Sequence, residues 1–95
     1  MTEPTPEMVN IIENHAEITG TLVGVAPAPD LPDHVLMTIR VDAAHPVGDW
    51  PNLFARDIGC TITVHARRDS AAATAEGAVV RLRVRKAGPG RSFAD

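Results

Sequence analysis

Three stretches of the chain alternate apolar and polar residues with a period of two. In HVLMTIRVDA, residues 34–43, Val35, Met37, Ile39 and Val41 share one side, while Leu36, Thr38, Arg40 and Asp42 share the other. Such alternation places one face on a core and the other in water, as a half-buried antiparallel strand does. CTITVHARR repeats the pattern, with Cys60, Ile62, Val64 and Ala66 predicted inward and Thr61, Thr63, His65 and Arg67 outward. AVVRLRVRK does so again: Val80, Leu82 and Val84 point in, and Arg81, Arg83 and Arg85 point out.

A fourth segment, residues 18–25, is rich in Thr, Val, Ile and Leu but changes sides. Ile18 and Leu22 have one parity, Val23 and Val25 the other. A strand switches faces only through a bulge or a stretch of coil, which Gly20 or Gly24 permits. The segment therefore predicts a long, strongly bent first strand. Pro27, Pro29 and Pro32 end it, because proline cannot donate to a ladder, and Asp30 and Asp33 suit the loop that follows.

The remaining segments read as connections. AHPVGDWPNLFARDIG is punctuated by Pro46, Gly48 and Pro51, with one helical turn at residues 52–56. Trp50 and Phe54 are expected to seal one end of the core. In DSAAATAEG, Ser70 is placed to cap an alanine-rich helical turn that Gly77 ends. After AGPGR, residues 92–94 make a brief last strand. Five short strands, with a short helical turn between strands 3 and 4, predict an all-β fold: a small OB-like barrel, with an SH3-like barrel or a β-sandwich as alternatives. Residues 1–14 are expected to form a flexible N-terminal segment. A short helix there would start at Thr5 and Pro6, with Met8, Ile11, Ile12 and His15 on one face; a strand fits almost as well. Residues 15–95 form the barrel domain.

Composition agrees with a single folded domain: 95 residues, 44% hydrophobic and 22% charged. No apolar run approaches the roughly 20 residues of a membrane helix, and no basic segment precedes an apolar one near the start. The expectation is a cytoplasmic protein with no membrane partner. Cys60 is the only cysteine, so no disulfide forms within the chain. Net charge is −3, unevenly spread. Residues 1–50 hold eight acidic groups and one basic group; residues 51–95 hold eight basic and four acidic groups.

That asymmetry directs attention to the arginines. Arg81, Arg83 and Arg85 project at intervals of about 6.5–7 Å, close to the phosphate spacing of an extended nucleic-acid strand. Arg67, Arg68, Lys86 and Arg91 could widen the surface. Single-strand sites also stack bases on aromatic rings. The chain has no Tyr, its central strands are expected to carry no aromatic, and its pI is about 5.7. A protein partner thus ranks above nucleic acid, and a solvated strand face whose arginine stems cover apolar neighbours accounts for the spacing with no ligand.

Other chemistry is sparse. His15, His34, His45 and His65 show no metal-ligand spacing, so neither metal nor cofactor is expected. Cys60, on an inward face, reads as inert packing. Ser70 and Ser92 lack a nucleophile-elbow context, and GPGR lacks the lysine of a phosphate loop. An enzyme would require a cleft gathering several of His34, His45, Asp42 and Asp49. The expected function is a non-catalytic protein-interaction or accessory module, with self-association expected from the unequal charge and from outward Leu36 and Val79. Single-stranded nucleic-acid or polyanion binding is the alternative.

Overall fold

A computed structural model describes residues 12–71, 75–88 and 91–94. Five strands close into one barrel: β1 (Ala16–Pro27), β2 (His34–Pro46), β3 (Thr61–Arg67), β4 (Val79–Gly88) and β5 (Arg91–Ala94). Around the barrel the order is β1-β2-β3-β5-β4, and β4 returns to β1. All neighbours are antiparallel except β3 and β5, which run parallel through one registered pair, His65 with Phe93. This is the predicted all-β, five-stranded OB-like architecture, and a single closed sheet replaces the sandwich alternative. A four-residue helix, α1 (Arg68–Ala71), lies between β3 and β4 as expected. It starts two residues before Ser70, so Ser70 lies inside the helix and is not its cap.

Period-two burial holds on every long strand. Ala16, Ile18 and Leu22 from β1, Val35, Met37, Ile39 and Val41 from β2, Val64 and Ala66 from β3, and Val80 and Val84 from β4 form one core. Ile62 and Leu82 are partly buried against it. Trp50 and Phe54 divide the role predicted for both. Phe54 is fully buried, whereas Trp50 stays 44% exposed and meets His15 edge-on. The segment beneath the barrel makes a 3-10 turn at Ala55–Asp57, close to the expected position.

Cys60 corrects the inward prediction. It is exposed, in the turn before β3 begins, where its N–H donates to the Asp57 carbonyl and its own carbonyl accepts from Val41. Alternation in the sequence runs on through Cys60, but the sheet that curls over the core starts one residue later. The expected N-terminal helix positions Thr5, Pro6, Met8 and Ile11, residues 72–74 and the turn residues 89–90 lie outside the described residues.

β1 is the strand on which closure depends, since it pairs with both β2 and β4. Two bulges bend its ladder with β2. Thr19 faces Ala43 and Gly20 faces Val41, so Asp42 is the extra residue; Leu22 faces Ile39 and Gly24 faces Thr38, so Val23 is extra. The second bulge is the side-switch foreseen between Leu22 and Val23. The first lies on β2, where unbroken alternation gave no sign of it. Gly20 sits at the tightest point: a Cβ there would lie 2.2 Å from the Arg40 carbonyl oxygen and 2.8 Å from Ile39 Cγ2. Past Leu22, whose N–H and C=O bond to Ala78 and Gly77, β1 leaves β4. Gly77 makes that turn with φ +86°, a backbone region that costs glycine little.

The lower end of the barrel is held by a side chain acting as a strand. Buried Asn14 accepts from the Lys86 N–H (2.8 Å) and donates to the Lys86 carbonyl (2.9 Å), satisfying both main-chain groups where β1 has not yet begun.

These contacts set a test of closure. Gly20→Ala forces the Arg40 backbone aside and is expected to cost about 1–3 kcal/mol. Gly24→Ala, with nothing within 4 Å of the added carbon, is expected to be nearly neutral. Urea unfolding monitored by Trp50 fluorescence compares them; equal stability of the two variants would contradict the close approach.

Candidate functional site

Burying Val80 and Val84 turns Arg81, Arg83 and Arg85 outward, yet the three arginines do not share one environment. Arg81 faces Thr19 of β1, and its Nε lies 3.9 Å from Glu17 Oε1. Arg83 faces Glu17 itself. Arg85 turns to β5, where its guanidinium carbon lies 5.1 Å from the centre of the Phe93 ring. Lys86 takes the opposite parity and leaves the surface. Its Nζ is 3.0 Å from Asp57 Oδ2 and 5.1 Å from the Phe54 ring centre, so it helps close the barrel end.

The other predicted cations border the Phe93 side. Arg91 is two residues before Phe93 and on the same face of β5; its Nη2 donates to Asp30 Oδ2 in the loop joining β1 to β2. Arg67 faces His34 across the β2–β3 ladder, and its Nε lies 4.0 Å from Asp69 Oδ1. Arg68 donates to the Pro32 carbonyl (2.9 Å). An open depression of about 580 Å³ separates this corner from the loop, lined by Pro32, Asp33, Arg67, Arg68 and Asp69. Its two carboxylates offset its two guanidiniums.

Phe93 is the residue that sequence reasoning missed. It stacks on His65 with ring centres 4.9 Å apart and planes 24° apart, and it meets His34 edge-on at 6.3 Å. His65 Nδ1 also lies 3.3 Å from the Ser92 carbonyl. Cross-strand registers place Ala26, Leu36, His65, Phe93 and Arg85 in one outward row across all five strands. The row gathers an aliphatic side chain, an imidazole, a phenyl ring and a guanidinium side by side. Phe93 was hard to find because a four-residue strand after a turn shows no periodicity; the only signal was its place, alternate to Ser92 and next to the basic strand.

Charge reinforces the row. β3, β4 and β5 carry six of the nine basic residues and no acidic one. The carboxylates that pair with them belong to loops, turns, α1 or β1: Asp30, Asp57, Asp69 and Glu17. The opposite arrangement holds for the histidine–aspartate group weighed from the sequence. His34 opens β2 and His45 nearly ends it, about 36 Å apart at strand rise. They do not share a site.

The row also has a mechanical role. The β3–β5 seam has one registered pair, so the His65–Phe93 stack reinforces the barrel's weakest join, while the Arg85 contact ties β5 to β4. An aromatic pair contributes about 0.5–1.5 kcal/mol beyond area, and an exposed cation–π contact about 0.5–1 kcal/mol. Phe93→Ala is therefore expected to lower unfolding free energy by roughly 2 kcal/mol, and Phe93→Leu, which keeps most of the apolar area, by about half that. Denaturant titration of both variants measures this; an unchanged midpoint for Phe93→Ala would rule out the staple. The chain matches no protein-family model, no curated protein and no solved structure.

Proposed function

We propose that this protein is a non-catalytic binding module that holds single-stranded nucleic acid across the outward faces of β2, β3, β5 and β4. One observation supports the reading above the others: three of the four strands crossed by the Leu36–His65–Phe93–Arg85 row, β3, β5 and β4, bear cations and no carboxylate. From the sequence, nucleic acid ranked below a protein partner because no aromatic platform was expected. Phe93 and His65 supply aromatic surface, and Arg85 lies where a guanidinium can either stack or reach a phosphate.

Strands lie about 4.8 Å apart, so the row from Leu36 to Arg85 spans roughly 14 Å. That length suits two or three nucleotides of an extended strand. Arg67 beside His34 and Arg91 beside Phe93 flank the row and are positioned for the backbone, while the rings contact bases. Binding of this kind is tolerant of sequence and sensitive to salt, since phosphate contacts release counterions. The overall charge of −3 does not oppose it, because β3, β4 and β5 carry six basic residues and no acidic one.

Self-association is the second reading, and a separate observation favours it. Among the described residues, those at 23–27 of β1 pair only with β2 and leave an uncharged strand edge free. Val23 and Val25 are exposed there, and Val79, 75% exposed, stands opposite Thr21 just before that edge. Free edges of this kind template pairing with a second copy.

Fluorescence anisotropy with a labelled oligo-dT of about 15 nucleotides tests the first reading. Arg85→Gln is expected to weaken binding severalfold and to reduce the salt slope by about 0.7, the share of one single-strand phosphate. Arg81→Gln, whose arginine already faces Glu17, is expected to change both less. Absence of binding at low salt would remove the proposal. For the second reading, sedimentation is expected to show mass rising with protein concentration, and Val23→Lys to abolish the rise; a monomer at every concentration and ionic strength would contradict it.

A further inference from the structure

Arg91 is the cation nearest Phe93 on β5, and it is already engaged. Its partner Asp30 comes from a loop 61 residues away in sequence and reaches across the mouth of the row. The contact is charge-assisted, with one guanidinium nitrogen donating to one carboxylate oxygen. Both side chains remain about half exposed, at 45% and 53%. A pair so open to solvent adds little to stability, because water and salt screen it. Closure of the barrel does not need it either: β1, β2, β4 and β5 are joined by their own ladders.

A carboxylate is the nearest protein counterpart of a phosphate to a guanidinium, being planar, anionic and able to accept from the same fork. Asp30 also lies near enough to His65 for the imidazole to act on its charge. A hydrogen bond within its own backbone, followed by Arg91 and His65, holds its carboxyl below the usual range. It is therefore an anion at neutral pH and competes with any other anion for Arg91.

We propose that Asp30 is a tethered phosphate surrogate that occupies Arg91 in the free protein and is displaced by a backbone phosphate of the bound strand. The inference rests on the single-strand reading of the row and specifies how that site is regulated. A lone phosphate exchanging with Asp30 gains at Arg91 about what the protein loses. An extended strand also engages Arg85, Arg67 and the Phe93–His65 rings, so the exchange becomes favourable for it. The device thus selects strands over mononucleotides and sets a threshold of contacts before binding occurs.

The Asp30→Asn substitution removes the competing charge and keeps the side chain's size. With the full chain and the same labelled oligo-dT, Asp30→Asn is expected to bind about two- to fivefold tighter at low salt, the range an exposed ion pair permits. Its salt slope is expected to steepen by about 0.7, because Arg91 is then counterion-bound before the strand arrives. In an Arg91→Gln background the same substitution is expected to do neither. Unchanged affinity and slope, or weaker binding by Asp30→Asn, would overturn the surrogate while leaving the single-strand reading intact. If neither the native chain nor Asp30→Asn binds the oligonucleotide, both fall together.

Discussion

The close approach of β1 to β2 at Gly20 is the constraint on which the rest of the structure depends. β1 must pair with β2 on one side and β4 on the other, and it must curve tightly enough for the sheet to meet itself. The Arg40 carbonyl lies where any side chain at position 20 would be. With bulges at Asp42 and Val23, the ladder bends without losing its inward set: Ile18, Leu22, Ile39 and Val41 all stay in the core. Closure then brings β4 to β1 and leaves β5 to bridge β3 and β4. The outward row exists because five strands that are distant in sequence are held in one register.

Burial determines where the charges go. Valine and leucine at alternate positions of β4 carry its arginines into water whether or not a ligand exists. The surroundings then separate them. Arg81 and Arg83 face Glu17 on β1, whereas Arg85 reaches the Phe93 ring. Lys86, of opposite parity, is drawn to the barrel end, where Asp57 and the main-chain bonds from Asn14 hold it. A comb that looks uniform in sequence is thus three environments in space: a screened pair, an aromatic contact and a half-buried ion pair. Only the second gives a surface with features a nucleic-acid strand can use.

Much of this was legible in the sequence wherever period-two alternation ran unbroken. β2, β3 and β4, the inward positions of their valines and isoleucines, and the side-switch after Leu22 all follow from pattern and glycine placement. What escaped has a shared physical cause: it depends on contacts that alternation does not encode. Cys60 continues the inward parity of β3 but precedes the sheet. Asp42 alternates correctly and is nonetheless a bulge. Asn14 replaces a strand's main chain with its side-chain amide. Phe93 stands on a strand too short to show a period, and its importance comes from His65, a parallel neighbour 28 positions earlier.

The central claim is that the row from Leu36 to Arg85 is where a nucleic-acid strand lies. Two-dimensional NMR of the isotope-labelled chain, titrated with unlabelled oligo-dT, tests it most directly. The account predicts shifts concentrated at Leu36, His65, Phe93, Arg85 and Arg91, with Glu17, Arg81 and Cys60 nearly unmoved. Shifts centred on the free edge of β1 or on the barrel end around Trp50, with the row unaffected, would contradict it.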